Sequence, residues 1–590
     1  MRVDGPGTWR SWMSSMNKAA TMSMVGSSLG RLQGSPTLPR QSTHLAGRRT
    51  MARMRRILVS ILVAALATTA VGSYVQARRI NADSDPGWVE DAGPPQMVVG
   101  TPLLSVRRTP SWLSGPVTEA RLFERLTDVA ELPSAPPQTC LAVYRNGEPI
   151  LSEQAEVPLV PSSLMKIVTA AVILETAGSE ATFATEAFVR SADLNSASGG
   201  VLTGDIFLVG RGDPVLSTLS YIRRFPEPMA HTDFTDLAVQ ASASLRDRGI
   251  ARIEGRVLAD ESRFPEAERD YSGQIVQPSN QPIWKQSYVN SNQVGPLSAL
   301  LLNDGYVSFP ASADYAGRRQ NVRATDPALH AAQVLDGLIE SRGVLVSAPA
   351  GKGTAPARSE LFSLGSVESP PMSEIVARML RYSDNTTAEM LLKDIGRRFS
   401  GSARADAVTD VHDVLERLLG IPTTGIVIAD GSGLSLHNRL TCDLITRLLL
   451  RAGPDSPLVT GLAVVGESGT LRECEAEPQA SDETATPATA DAGAATGDAA
   501  DGPVWAKSGT LNDVSAIAGV TVARNGDVLT FALISNREGL IFDLGFCNDL
   551  QRGLISAAAG HPYGPSSADA LLHPKPARAP VVDTGTANGQ

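Results

Sequence analysis

A pattern of helix and strand starts near residue 116, breaks off at 182 and resumes only beyond 348. In the first stretch, VTEARLFERLTDVAEL has apolar residues at helical spacing, and TCLAVYRNGEPILSEQ sets Asn146-Gly147 between two apolar runs. SSLMKIVTAAVILETAG then reads as a helix stopped at Gly178. Asn-Gly between apolar runs signals a two-residue hairpin turn, and a glycine just past the last periodic residue suits a helix end. Between 182 and 348 the texture changes to short strand-like runs, GVLTGDIFLVG, IEGRVLAD and GYVSFP, spaced by turn residues. Helical spacing returns in PMSEIVARMLRYSDNTTAEMLLKDIGRRF, with a break at Ser383-Asp384-Asn385 and a capping box expected from Thr386 and Glu389. PVWAKSGTL, VSAIAGVTVARNGDVLTFALISN and NDLQRGLISAAAG read as strand, hairpin and helix, the hairpin turning at Asn525-Gly526. The simplest chain with this pattern is one α+β domain, residues 116–181 and 349–560, interrupted by a strand-rich insertion at 182–348.

The flanks differ in composition. Residues 1–56 carry ten Arg or Lys and one acidic residue, Asp4, and read as a basic, disordered leader. The remaining residues therefore hold a net charge of −19, although the whole chain is only −10. Such a surface excludes nucleic acid as a partner, because that needs a basic footprint. Arg53, Arg55 and Arg56 precede an uncharged run from Ile57 to Ala77. Basic residues before a long apolar run mark an export signal or a retained membrane anchor. Cleavage after Val75-Gln76-Ala77 fits the signal, whereas Arg78 and Arg79 directly behind it favour the anchor. Either places the rest of the chain in the cell envelope, outside the cytoplasm. Residues 78–115 are rich in Pro, Ser and Gly and read as a linker. Residues 474–503 and the tail at 561–590 have almost no large apolar groups and read as disordered. Four cysteines, Cys140, Cys442, Cys474 and Cys547, allow three full pairings or free thiols. Neither they nor the seven histidines form a metal-binding pattern, and no cofactor is expected.

Lysine is scarce: of 52 basic residues only seven are lysines. Arginine keeps its proton, but a buried or crowded lysine can lose it. Lysines retained in an arginine-biased chain are therefore candidates for proton chemistry. Lys166 lies in Ser163-Leu164-Met165-Lys166, at the start of a predicted helix. Positions three apart share a helix face, so the amine can meet the hydroxyl, and a serine needs such a base to become a nucleophile. The helix dipole favours an alkoxide at that end. Ser383-Asp384-Asn385 brings a second hydroxyl and an amide at the break between two helices. Lys507-Ser508-Gly509-Thr510 brings a cation, two hydroxyls and, on a predicted strand, a glycine that lets a substrate backbone approach. Each motif alone also describes a cap, a surface lysine or a strand end. Together, in this order and on these elements, they match the signature of class A β-lactamases and penicillin-binding proteins.

The chain resembles the exported D-alanyl-D-alanine carboxypeptidase/endopeptidase family, the low-molecular-mass class C penicillin-binding proteins of serine peptidase family S13. GDIFLVGRGDPVLS (204–217), GPLSALLLNDG (295–305), IADGSGLSLHNRLT (428–441) and GESGTLRECE (466–475) add to the resemblance, which covers roughly 115–560. It departs from the family at Ser508, where threonine is usual, and in the length of the acidic run at 474–503. The resemblance implies a penicillin-binding protein/serine β-lactamase-like fold, an antiparallel sheet flanked by helices. It implies a serine carboxypeptidase, with endopeptidase action as a further expectation, that trims peptidoglycan stem peptides and is acylated by β-lactams. Ser163 is then the nucleophile, Lys166 its base and Ser383 a proton relay. Asn385 holds the acyl-side amide, Lys507, Ser508 and Thr510 hold the substrate's terminal carboxylate, and Gly509 lets the substrate backbone come close. The backbone N–H groups of Ser163 and Thr510 form the implied oxyanion hole. The alternatives are a β-lactamase and a non-catalytic envelope binding protein. Asp213, Asp430 and His437 also suggest a triad, but RGDP and DGSG are turn chemistry first.

Overall fold

The computed structural model describes residues 111–131, 138–225, 228–264, 275–276, 281–313, 315–401, 407–474, 503–523, 525–537 and 547–562. All belong to one unit, Thr101–Gln590. The expected leader, the apolar run at 57–77, most of the 474–503 segment and nearly all of the tail lie outside them. Among the described residues, no helix is long and apolar enough to cross a membrane.

Helix α1, Ser111–Ala130, starts inside the stretch expected to be linker. Strands β1, Gln138–Arg145, and β2, Glu148–Glu153, form the expected hairpin, with Asn146 and Gly147 both at positive φ. A short 3-10 turn, Ser162–Leu164, leads into α2, Met165–Ala177, which stops at Gly178 with φ +84°. The chain then leaves for β3, Ala184–Arg190, β4, Ile206–Gly210, α3, Phe234–Arg246, β5, Val257–Asp260, α4, Pro327–Glu340, β6, Gly351–Lys352, and β7, Leu361–Glu368. It returns through α5, Met372–Tyr382, α6, Asn385–Phe399, and α7, Cys442–Ala452. The last elements are β8, Ala463–Val464, β9, Val504–Leu511, β10, Val514–Val522, β11, Val528–Asn536, and α8, Asp549–Ala559.

The main sheet runs β8-β9-β10-β11-β1-β2 and is antiparallel throughout. Period-two alternation sorts its side chains onto two faces. Cys140 and Ala142 of β1, with Ala532 and Ile534 of β11, join α2, α5, α6 and α7 in one core. Leu141 and Val143, with Phe531 and Leu533, join Leu122 and Leu126 of α1 and Leu554 of α8 in the other. Disulfides Cys140–Cys442 and Cys474–Cys547 use all four cysteines, the first tying β1 to α7.

The insertion is more helical and longer than its sequence texture suggested. Its sheet, β6-β5-β4-β3-β7, is covered by α3 and α4, whose apolar faces form a separate core with it. Asp233 and Asp326 cap those helices, and Pro327 opens the second. β7 pairs along its length with β3, so the inserted sheet ends at Glu368 and not at 348. An antiparallel partner so far away in sequence leaves no local trace.

Candidate active site

Four segments converge on Ser163. The Ser162–Leu164 turn supplies the hydroxyl, and Ser162 is held at φ +50°, a conformation that non-glycine residues rarely adopt. Two missing side chains let it sit there. A Cβ on Gly433, itself at φ +86°, would fall 1.9 Å from the Ser162 carbonyl oxygen. A Cβ on Gly509 of β9 would lie 3.1 Å from the Ser163 nitrogen and 3.1 Å from the Pro161 oxygen. The room that Gly509 was expected to leave for a substrate is thus taken on this side by the protein's own Ser162–Leu164 turn.

Lys166 is the second residue of α2 and is completely buried. Its Nζ donates to Asn385 Oδ1 at 2.6 Å and to the Ser432 carbonyl at 2.6 Å, and lies 3.2 Å from Ser163 Oγ. Burial pulls its pKa down to about 8, against the upward pull of Asp430, Glu389 and Asp384; Arg318 adds a smaller downward push. Ser383 Oγ lies 3.1 Å from Ser163 Oγ on the other side. Ser383 ends α5 in the left-handed conformation, φ +55°, and Asp384 then caps α6 by accepting from Thr387 N. The capping box expected from Thr386 and Glu389 does not form. Thr386 Oγ1 accepts from Gly295 N of the insertion, and Glu389 faces inward. Asn385 Nδ2 donates to the Gln293 carbonyl, so the insertion fixes that amide.

Lys507 on β9 is also buried, and its Nζ donates to the Ser508 carbonyl at 2.7 Å. Burial, and then the nearby Lys166, hold its pKa well below the usual lysine value. Two ammonium groups this close and this dry oppose each other's charge. Ser508 is buried, Thr510 half-buried, and both lie on the strand whose Gly509 abuts the Ser163 turn. The structure thus brings Ser163, Lys166, Ser383, Asn385 and Gly509 together, with Lys507, Ser508 and Thr510 on the adjoining strand.

Sequence patterns missed the support beneath Lys166. Glu389 of α6, buried, accepts from Ser432 N at 2.8 Å and from Gly431 N at 3.2 Å. It thereby holds the turn whose Ser432 carbonyl grips Lys166. Burial and the Asp430 charge push its pKa up to about 8. A backbone carbonyl has no side-chain signature, so the stretch IADGSGLSLHNRLT contained Ser432 without showing its contact with Lys166. The triad does not assemble. Asp430 accepts from Gly433 N, Ser435 N, Asn438 Nδ2 and Trp284 Nε1, and Asp213 binds Val215 N and Thr232 Oγ1. Both are turn residues. Among the described residues, no group of His, Cys, Asp and Glu could hold a metal ion.

The family model of the D-Ala-D-Ala carboxypeptidase 3 (S13) family matches residues 119–312 and 304–541. The chain belongs to this family. It is a serine-type D-Ala-D-Ala carboxypeptidase. Carboxypeptidase Rv3627c of Mycobacterium tuberculosis is 30% identical over 413 residues, which cover 67% of this chain and 74% of that one. The D-alanyl-D-alanine carboxypeptidase of an Actinomadura species is 29% identical over 449 residues, covering 66% and 76%. Penicillin binding protein 4 from Haemophilus influenzae shares the fold, with TM-score 0.53 over 74% of this chain and 98% of that one at 16% identity. The S13 fold is the expected one: an antiparallel sheet flanked by helices, with an inserted region between the first two motifs.

Proposed function

We propose that this carboxypeptidase acts through an acyl-enzyme on Ser163 in exported form, trimming D-Ala-D-Ala-ended stem peptides of peptidoglycan. The observation that carries the reading is the geometry of the Lys166 amine. Neutral, it has two N–H groups and one lone pair. The two close acceptors, Asn385 Oδ1 and the Ser432 carbonyl, take the N–H groups. The lone pair is then left for the Ser163 hydroxyl at 3.2 Å. An arginine could not serve, because it does not give up its proton.

In this mechanism Lys166 takes the proton as Ser163 attacks the carbonyl of the penultimate D-Ala. The N–H groups of Ser163 and Thr510 receive the oxyanion; one such donor is typically worth about 2.7–4 kcal/mol. Ser383 passes a proton to the leaving amine, and Asn385 holds the acyl-side amide. Ser508 and Thr510 receive the terminal carboxylate. That anion raises the depressed pKa of Lys507, so the substrate itself draws a proton onto Lys507 and completes its own binding site. Water then releases the shortened peptide. β-Lactams enter the same acylation and leave slowly. Endopeptidase action on cross-links uses the same steps with a larger leaving group.

Export is supported by the basic and apolar segment ending at Ala77 and by two disulfides, which persist in oxidising compartments. That segment is either cleaved after Ala77 or kept as the membrane anchor. Intact-protein mass spectrometry with benzylpenicillin, followed over time, tests the reading. A lasting adduct on the Ser163 peptide, lost in Ser163→Ala, is expected, together with D-Ala release from a D-Ala-D-Ala peptide. Consumption of the drug with no lasting adduct would make the protein a β-lactamase. Neither adduct nor consumption would leave a binding protein.

A further inference from the structure

Ser383 stands at a break between two helices, in a backbone conformation that has to be imposed. It ends α5 in the left-handed region, and Asp384 follows as the cap of α6. A non-glycine residue keeps such a backbone only where its surroundings hold it there. One hold comes from α6, where Asp384 accepts from Thr387 N and Oγ1. The other comes from α5. Arg378 of that helix is buried, and its Nη2 lies 3.5 Å from Asp384 Oδ2.

The guanidinium does not face Asp384 alone. Its Nη1 donates to the Ala230 carbonyl of the insertion at 3.0 Å, and Nη2 also lies 3.5 Å from Asp304 Oδ1. Nη2 makes no hydrogen bond among the described residues. It is held between two carboxylates without closing on either. A charge-assisted hydrogen bond is about 2.8 Å long, so the contact between Arg378 and Asp384 stands open by about 0.7 Å. The insertion fixes the opposing carboxylate firmly. Asn303 and Asp304 are both left-handed, φ +54° and +53°, in the turn Leu302–Gly305. Asn303 Oδ1 accepts from Thr218 N and Oγ1, and Asp304 Oδ2 accepts from the Tyr221 hydroxyl at 2.6 Å. Two strained residues in succession thus present one carboxylate to one guanidinium.

We propose that Asp304 is a positioning residue for Ser383, acting through Arg378 and Asp384. Its attraction for the guanidinium balances that of Asp384. Without it, Arg378 and Asp384 close their gap, and the break between α5 and α6 moves with them. A misplacement of about 1 Å at a reacting group can cost about a hundredfold in rate. This role rests on Ser383 passing a proton to the leaving amine, as in the mechanism above.

A departing amine must take up a proton as its C–N bond breaks, whereas a thiolate leaves with the electron pair alone. The test therefore compares a peptide ending in D-Ala-D-Ala with its thioester analogue, in which D-2-mercaptopropionate replaces the terminal D-Ala. The two share the acyl group and the terminal carboxylate, so effects on binding or on Lys166 cancel in the ratio. Release of D-Ala or of thiol gives kcat/KM, with active enzyme counted by benzylpenicillin titration. Asp304→Asn keeps an acceptor for Tyr221 and a residue type that tolerates positive φ, so only the charge is lost. It should lower kcat/KM on the amide about tenfold or more, and on the thioester by less than about threefold. Ser383→Ala should show the same split, and adding Asp304→Asn to it should cost the amide less than about twofold more. Equal losses on both substrates in Asp304→Asn, no loss on either, or full additivity with Ser383→Ala would overturn the role of Asp304 and leave the relay standing. Equal losses on both substrates in Ser383→Ala would overturn the relay, and the role of Asp304 with it.

Discussion

On the proposed mechanism, the depressed pKa of Lys166 sets the pH dependence of acylation. Only the neutral amine can accept the Ser163 proton. With a pKa of about 8, roughly 1% of the amines are neutral at pH 6, about 9% at pH 7 and half at pH 8. The second-order rate of benzylpenicillin acylation should therefore rise about tenfold from pH 6 to 7 and about fivefold from 7 to 8, then level off above 9. A lysine left at its ordinary pKa would be neutral in fewer than about one molecule in a thousand at pH 7, and its rate would still be climbing at pH 10. The difference is about 3 kcal/mol of tuning, produced mainly by burial. Stopped-flow or quenched labelling across pH 6–10 reads the profile directly. A rate flat from pH 6 to 8, or one rising tenfold per unit beyond 9, would refute Lys166 as the tuned base. Lys166→Arg keeps the charge and cannot shed it, so acylation should fall by about a hundredfold or more at every pH.

Other outcomes follow from the supports around the site. Gly433→Ala forces a positive φ on alanine and drives a Cβ into the Ser162 carbonyl; it should cost roughly 3 kcal/mol in denaturant unfolding and abolish penicillin labelling. Glu389→Ala strips the Gly431 and Ser432 N–H groups of their acceptor, so unfolding should be easier by roughly 1–3 kcal/mol and labelling slower. The raised pKa of Glu389 means the folded protein holds a proton that the unfolded chain has lost between about pH 5 and 8. Stability should therefore fall as pH rises through that window, and Glu389→Gln should flatten the slope in thermal unfolding. Replacing Cys140 and Cys442 together by serine removes the tie between β1 and α7 and should cost roughly 2–5 kcal/mol in equilibrium unfolding.

Local chemistry was legible in the sequence wherever one short segment decided the outcome. Asn146-Gly147 turns the first hairpin and Gly178 ends α2. The Ser-x-x-Lys spacing places Lys166 beside Ser163 because both lie at one helix start. Legibility ended where distant segments decide. Thr386 and Glu389 have capping-box spacing, yet Asp384 is the better cap, and both side chains are claimed by residues from Gly295 and Gly431. Short strands dominate the insertion's texture and hid α3 and α4, although Asp233, Asp326 and Pro327 marked their starts.

The place where the insertion interrupts the chain also has a consequence in time. Ser163 and Lys166 are made before it, Ser383 and Asn385 after it, and β9 later still. The first and last strands of the sheet's centre then meet across almost the whole length, Thr139 beside Ser535, 396 residues apart. Contacts of such long range form last, after the cost of closing the loop has been met. During synthesis the emerging polypeptide therefore carries Ser163 and Lys166 without the Asn385 and Ser432 acceptors that hold the amine, and without β9. On the proposed mechanism, hydrolysis is expected only once the C-terminal hairpin has docked, and a molecule truncated before that hairpin should be inactive.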